Sequence, residues 1–207
     1  MEIVVQPPRK PGRPLSFDRQ AALRQAMLTF WRHGYETTSI SDLTAEMGVT
    51  APSIYTAFGD KKRLFLEAMR LYAGAPDDVQ AGLDRAETAR DAARDMLTAS
   101  ARAFTGTTTP RGCLLASATA SGSKDAVDVQ DAVAEIRRDI IARLSTRIER
   151  DIRAGILPEA TSPQTLAAMV VAVIQGMSVL ARDGAAQDSL LLIAEQAMRA
   201  WPEHSVG

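Results

Sequence analysis

The segment TAPSIYTAFGDKK, residues 50–62, holds the side chains whose types and spacing are best suited to binding chemistry. Ile54 and Phe58 are four residues apart, so they share one face of a helix and can pack against a core. The opposite side then presents small or hydroxyl-bearing side chains: Ala51, Pro52, Ser53, Tyr55 and Thr56. Hydroxyls can bond phosphate oxygens or base edges, and alanine or proline can contact a thymine methyl. The segment therefore suits a helix that lies in the major groove of DNA.

Two lysines follow this segment, in the first turn of the next helical pattern. The helix dipole disfavours Lys61 and Lys62 there by about a few tenths of a kcal/mol. A phosphate strand at this position would reverse that preference, because the helix end and the ammonium groups both attract it. The alternative is that both are solvated surface lysines, and the spacing does not decide between the two.

Four helices are predicted to position this segment. N-cap residues precede four apolar patterns of helical period: Ser16, Ser39, Thr50 and Asp60. Asp42 can complete a capping box with Ser39. Gly34 ends the first pattern, and the second and third are joined by a tight turn at Gly48. This order predicts a helix-turn-helix DNA-binding domain over residues 16–73.

The remainder, residues 74–207, is also predicted to be helical, without a strand pattern or internal repeat. Apolar periodicity predicts helices over 86–104, 125–154, 162–181 and 187–201, so the fold class is all-α, with a larger C-terminal helical domain. Residues 1–73 carry ten Lys/Arg and seven Asp/Glu, whereas residues 74–207 carry fourteen and eighteen. A basic first part on an acidic remainder indicates that the two parts have different partners.

Composition argues against several classes of protein. With one cysteine, Cys113, and two histidines, His33 and His204, nearby sequence offers no catalytic triad and no cluster of metal ligands. We therefore expect no enzyme, no metal and no cofactor. The first residues, MEIVVQPPRKPGRP, lack the apolar core of a signal peptide, so a cytoplasmic location is expected. Residues 160–181 are uncharged and long enough to span a bilayer, but their polar side chains favour a helix buried inside the protein.

Residues 16–72 resemble the DNA-binding domain of the TetR family of bacterial repressors. The resemblance is carried by AALRQAMLTFWRHGYETTSISDLTAEMGV and TAPSIYTAFGDKKRLFLEAM, and within them by Gly34-Tyr35, Thr38-Ser39, Met47-Gly48-Val49, Ile54-Tyr55, Phe58 and Lys61. It implies a ligand-responsive repressor that binds an operator as a homodimer. It also implies contacts to phosphate from Thr38, Thr50, Tyr55 and Lys61, and contacts to bases from Pro52, Ser53 and Thr56. Tyr35 is expected to pack between helices.

Residues 1–15 are predicted to form a flexible basic arm. Its sequence RKPGRP resembles the core of an AT-hook, in which an extended arginine lies in a narrow A·T minor groove. Arg13 is the residue expected to enter the groove. The alternative is a basic tail that attracts phosphate without sequence preference.

The larger domain is expected to bind a small-molecule effector, because the resemblance implies one and a Met-containing interior suits an adaptable apolar pocket. The candidate residues are Met96, Phe104, Leu144, Met169 and Met177. The alternative is that these residues are ordinary side chains of the hydrophobic core. Two other functions stay open: a DNA-binding regulator without a ligand, and redox sensing by Cys113, with Arg111 near enough to favour a thiolate.

The last two predicted helices, 162–181 and 187–201, are the expected dimer contacts. Paired across a two-fold axis, they would form a four-helix bundle that covers the uncharged face. Such symmetry predicts a palindromic operator read by two helices about 34–36 Å apart. Effector binding is expected to change that spacing through the fourth helix, residues 61–73, by a shift between two states.

Overall fold

The computed structural model describes residues 17–117 and 127–202, and within these ranges it contains helices and no strand. The helices are α1 (Arg19–His33), α2 (Ile40–Met47), α3 (Ala51–Phe58), α4 (Lys61–Ala73), α5 (Pro76–Arg85), α6 (Ala89–Thr105), α7 (Leu114–Ser117), α8 (Val127–Arg153), α9 (Pro163–Arg182) and α10 (Gln187–Met198). The predicted all-α fold class is confirmed.

Local hydrogen bonds explain where the first four helices begin. Ser39 and Asp42 form the predicted capping box, in which each side chain accepts the other's backbone N–H. Thr50 caps α3 and Asp60 caps α4, also as predicted. The predicted cap of α1 was wrong: Asp18 takes this role, accepting from Gln20 and Ala21, because its carboxylate lies directly before the first turn.

Aromatic rings hold α1 against α4. Phe30 and Phe65 are fully buried and meet edge-on with their ring centroids 5.0 Å apart. Trp31 and Tyr72, about two turns further along α4, also meet edge-on, with their ring centroids 4.8 Å apart. Large rings close the core of a small domain efficiently, since each buries a large apolar area. The rings thus fix α4 as the rigid support of the first domain.

The C-terminal part packs α6, α8, α9 and α10 around a mainly aliphatic core, to which Phe104 and Trp201 add two rings. Helix α5 was not predicted; it follows closely on α4, with Pro76 in its first turn. The helix predicted from residue 86 begins instead at Ala89 as α6, behind its cap, Thr88. A buried ion pair on α8, Arg147 with Asp151, ties the start of α6 to α8, because Asp151 also accepts the Ala89 N–H at 2.6 Å.

Helix α9 is long and apolar enough to cross a membrane by length and composition alone. The expectation that it is buried on most sides was wrong, since only 33% of its most apolar window is buried in this chain. Val179 and Leu180 on α9, with Leu192 on α10, are exposed apolar side chains. An apolar helix face open to water in a single chain indicates a surface that a partner covers.

Candidate nucleic-acid interface

The turn between α2 and α3 places α3 on the surface of the first domain. Gly48 adopts the left-handed conformation with φ 65°, which glycine reaches without steric cost. Ile54 and Phe58 are buried, as predicted from their spacing. Pro52, Tyr55 and Thr56 are exposed on the outer side, Tyr55 by 51%. The helix therefore presents its small and hydroxyl-bearing residues outward, as a recognition helix must.

Hydrogen bonds within α3 orient its hydroxyl groups. The Thr50 and Ser53 hydroxyl oxygens lie 2.9 Å apart, at the helix N-terminus. The Thr56 hydroxyl donates to the Pro52 carbonyl oxygen at 2.8 Å. Its oxygen lone pairs stay open to accept, and its methyl group stays exposed beside them. Thr56 can thus accept a hydrogen bond from the amino group of adenine or cytosine, or contact a thymine methyl.

Thr38 was expected to contact phosphate, and its position in the structure contradicts this expectation. The residue is fully buried, and its hydroxyl donates to the Gly34 carbonyl oxygen at 2.6 Å. A buried hydroxyl must find a partner inside the protein, and here the partner is the end of α1. Thr38 therefore stabilises the turn between α1 and α2 and does not face solvent.

The partly exposed Lys61 side chain lies beside the turn after α1. Its Nζ donates to the Glu36 carbonyl oxygen at 3.3 Å and lies 4.6 Å from the centroid of the Tyr35 ring. Partial burial lowers the pKa of Lys61 below its ordinary value, while the nearby Glu36 and Asp42 carboxylates act in the opposite direction. Tyr35 packs on Phe65 at 4.9 Å, between helices as expected. Lys61 thus stacks on a core aromatic near the predicted DNA surface.

Lys62 has a partner outside the first domain. Its ammonium group forms an ion pair with Asp128 in the first turn of α8. The contact raises the pKa of Lys62, chiefly because Asp128 accepts its hydrogen bond. Of the two first-turn lysines, Lys62 therefore connects α4 to the C-terminal part, and only Lys61 lies near α2.

Comparison with known proteins decides the family. The model of bacterial regulatory proteins of the tetR family matches residues 22–68, and a tetracyclin repressor-like C-terminal domain matches residues 82–190. The HTH-type transcriptional repressor ComR of Escherichia coli (strain K12) is 35% identical over 197 residues, 93% of this chain and 92% of that protein. The chain belongs to the TetR family.

Solved structures agree with this assignment. A cysteine mutant of the TetR family transcriptional regulator CifR, complexed with 26-base-pair operator DNA, is 38% identical, with a TM-score of 0.87 over 92% of this chain and 100% of that one. A putative TetR regulator from Rhodococcus sp. RHA1 is 33% identical, with a TM-score of 0.59 over 89% of this chain and 99% of that one. This TetR-family chain is a DNA-binding transcriptional regulator.

One predicted contact of this TetR-family protein lies outside the described residues. Arg13, expected to enter the minor groove, belongs to residues 1–16, of which the structure describes nothing. Conversely, sequence reasoning missed Arg19, which holds the C-terminal end of the recognition helix through the Ala57 carbonyl oxygen. The signal that could have found it is a cation as the first residue of α1, where the helix dipole disfavours positive charge.

The described residues place the predicted effector residues in different surroundings, and their binding of an effector stays a prediction. Phe104, Leu144 and Met177 are buried in the core, and Met96 packs against it. Met169 lines an open depression near the start of α9. Hydrophobic side chains of this kind fill the space where helices meet, which agrees with the alternative that they are ordinary core residues.

A cleft of about 620 Å³ lies instead between α4, α5 and α8. Its walls are mostly apolar: Leu66, Met69, Ala73, Pro76, Val79, Ala132, Ile136 and Ile140. Three charged residues complete the lining: Arg70 from α4, and Glu135 and Asp139 from α8. Asp139 is paired with Arg143 at 2.7 Å. An apolar cleft with a few polar groups is the usual form of a small-molecule site.

Cys113 is buried and is held by polar neighbours. The Tyr72 hydroxyl lies 3.3 Å from its sulfur, and the Cys113 backbone N–H donates to the Ser178 hydroxyl at 2.7 Å. Burial raises the pKa of Tyr72, and the nearby cysteine acts in the same direction. Arg111 does not serve the thiol as expected, because its guanidinium donates to the backbone carbonyl of Ala181.

We expect Cys113→Ser to repress and respond to oxidant like the wild type. Serine can keep the contact with the Tyr72 hydroxyl, and the burial of Cys113 limits the access of an oxidant to its sulfur. The measurement is operator affinity before and after mild peroxide treatment of both proteins. Loss of DNA binding by the oxidised wild type, with none by the serine variant, would show that Cys113 is a sensor.

Proposed function

We propose that this protein is a repressor that binds a two-fold symmetric operator as a homodimer and is released by a small effector. The observation that carries the proposal is the outward face of α3, on which Pro52, Tyr55 and Thr56 are exposed beside a buried Ile54 and Phe58. Ser53 is half-buried beside them. We propose contacts to phosphate from Thr50, Tyr55 and Lys61, and contacts to bases from Pro52, Ser53 and Thr56.

The exposed faces of α9 and α10 support the homodimer. Leu192 is 64% exposed, and Val179 and Leu180 are 56% and 41% exposed, although all three are apolar. A second copy of the same face would remove them from water and complete a four-helix bundle. Because a two-fold interface is self-complementary, one apolar face on each chain is sufficient.

The cleft supports the proposal that a small effector releases the protein from its operator. Leu66, Met69 and Arg70 line it from α4, the helix whose N-terminus follows the recognition helix. A molecule that fits the cleft better in one orientation of α4 would change the population of DNA-binding dimers, provided that its affinity differs between the two states. The ion pair of Lys62 with Asp128 links the same helix to α8.

The proposal has three further parts. The DNA-binding domain comprises residues 16–73, preceded by an arm of residues 1–15, and residues 74–207 form the effector and dimer domain, with Gly74 capping the end of α4. We propose no enzymatic activity, since the named relatives are transcriptional regulators. We also propose a cytoplasmic location, where a regulator meets bacterial DNA.

Selection of binding sites from random DNA with the purified protein tests the proposed function. The expected product is an inverted repeat whose half-sites are about 10 base pairs apart, or a multiple of one DNA turn. Selection of a site without two-fold symmetry would contradict the homodimer. Failure to enrich any sequence would contradict specific DNA binding itself.

Filling the cleft is expected to stop an effector from releasing the protein from its operator. In Ala132→Trp the indole would occupy the space between α4 and α8, so compounds that stabilise the wild type and release its DNA should lose both effects. The measurement is a thermal-shift screen of small apolar compounds, followed by operator binding. Ala142→Trp is the matched control, because Ala142 is exposed on the same helix and does not line the cleft. Equal responses of Ala132→Trp and wild type would place the effector elsewhere.

A further inference from the structure

Arg19 contacts two helices other than its own, α3 and α4. It is the first residue of α1, yet its side chain reaches residues 38 and 48 positions later in the chain. Its guanidinium forms a two-pronged ion pair with Glu67 of α4, Nη1 to Oε1 at 2.7 Å and Nη2 to Oε2 at 2.8 Å. This geometry uses the planar fork that distinguishes arginine from lysine.

The same guanidinium holds the end of α3. Nη2 and Nε donate to the Ala57 carbonyl oxygen at 3.2 and 3.4 Å, and Cζ lies 4.4 Å from the centroid of the Phe58 ring. Ala57 lies in the last turn of α3, where carbonyl groups have no partner within the helix. Arg19 therefore supplies the missing donor and covers the adjacent aromatic ring.

Helix α3 depends on few other contacts. It has eight residues, of which only Ile54 and Phe58 are buried. A helix this short is marginal in water on its own, so its orientation comes from tertiary contacts. Its N-terminus is fixed by the turn at Gly48 and by the Thr50 cap. The contacts of Arg19 fix its C-terminus, immediately after the outward-facing Tyr55 and Thr56.

We propose that Arg19 is a positioning residue for operator recognition: paired with Glu67, it sets the orientation of α3 without contacting DNA itself. The proposal rests on the proposed function, in which α3 lies in the major groove. The charge of Arg19 is neutralised by Glu67, and both side chains are only 34% exposed. A misoriented α3 would lose base contacts, whereas binding to arbitrary sequence depends on the number of phosphates neutralised and would persist.

Arg19→Lys and Glu67→Gln test this inference in the full-length protein. Lysine keeps the positive charge but cannot form the fork, and glutamine keeps the shape but not the charge. We expect each variant to bind the selected operator about tenfold more weakly, the loss typical of one charge-assisted hydrogen bond. Binding to random-sequence DNA and the salt dependence of binding should stay at the wild-type values. The double variant should be no weaker than either single one, because both remove the same contact.

The opposite results would overturn the proposal. If Arg19 bound phosphate directly, Arg19→Lys would bind like the wild type. If the pair acted only through net charge, Glu67→Gln would bind all DNA more tightly, since it removes a negative charge. Arg94→Lys is the matched control, because Arg94 forms a comparable pair with Asp91 at 2.7 Å on α6, away from the recognition helix.

Hydrogen exchange of the free protein separates this inference from the proposed function. Arg19→Lys should speed amide exchange in the last turn of α3, at residues 56–59, and leave α2 unchanged. Unchanged exchange in α3 would overturn the positioning role even if DNA binding fell. If the wild type bound no specific sequence, the proposed function would fail, while the exchange result would still report whether Arg19 orders α3.

Discussion

Tyr55→Phe is expected to weaken binding to every DNA sequence, by about 1.5–3 kcal/mol for each half-site, the range for a hydrogen bond to a charged group. The Tyr55 side chain is the most exposed large residue on α3, and the proposed function has its hydroxyl donate to phosphate. Phenylalanine removes only this hydroxyl and keeps the ring. Thr56→Ala should act differently, because the acceptor and the methyl group of the exposed Thr56 are proposed to contact base edges. It should change which bases are preferred and leave binding to random DNA nearly intact.

Binding of both variants to the selected operator, to single-base variants and to random DNA distinguishes the two roles. Thr146→Ala is the matched control for Thr56→Ala. The Thr146 hydroxyl donates to the carbonyl four residues earlier, Ala142, at 3.1 Å, as that of Thr56 does to Pro52 at 2.8 Å. It lies on α8 and should affect neither measurement. If Tyr55→Phe and Thr56→Ala altered binding in the same way, the division between phosphate and base contacts would be wrong.

The second large effect concerns stability: Asp151→Ala should lower the free energy of unfolding by about 3–5 kcal/mol, as expected when one partner of a buried ion pair is removed. Arg147 and Asp151 are each 3% exposed. Arg147 also donates to the carbonyl oxygens of Ala86 and Glu87, and Asp151 accepts from the Ala89 backbone. Without the carboxylate, the buried guanidinium keeps its charge and the start of α6 loses an acceptor.

Urea unfolding measures this loss, and the chain offers a matched control on the same helix. Asp139 pairs with Arg143 at the same four-residue spacing, but its side chain is 50% exposed. Asp139→Ala should therefore cost less than about 1 kcal/mol. Arg147→Met combined with Asp151→Leu should recover much of the lost stability, because no charge is then left buried. Equal destabilisation by Asp151→Ala and Asp139→Ala would show that burial does not set the energy of the pair.

The helix-turn-helix could be predicted from sequence because local interactions define it. The Ser39–Asp42 capping box, the turn at Gly48 and the Thr50 cap each form between residues at most four apart. The spacing of Ile54 and Phe58 likewise fixed which side of α3 faces inward. Helix α5 was missed because its residues, PDDVQAGLDR, carry few apolar side chains, and only Leu83 is buried.

The position of the cleft between α4, α5 and α8 could not be predicted in the same way. Periodicity shows that Phe104, Leu144 and Met177 are apolar and face inward, but a core position and a pocket position have the same pattern. Which of them borders empty space depends on how closely neighbouring helices approach. Thr38 shows the same limit: its place in a familiar motif suggested a surface contact, whereas packing under the end of α1 buried it.

The sequence by itself determined the all-α class, the helix-turn-helix and the outward residues of α3, since these follow from spacing and capping within a few residues, and its motifs carried the resemblance to the family. Only the tertiary structure decided which cations form ion pairs within the fold and where an open cleft lies. Arg19 meets Glu67, and Lys62 meets Asp128, across 48 and 66 residues of chain. Such contacts depend on how the helices pack together, so no local pattern in the sequence specifies which residue is the partner.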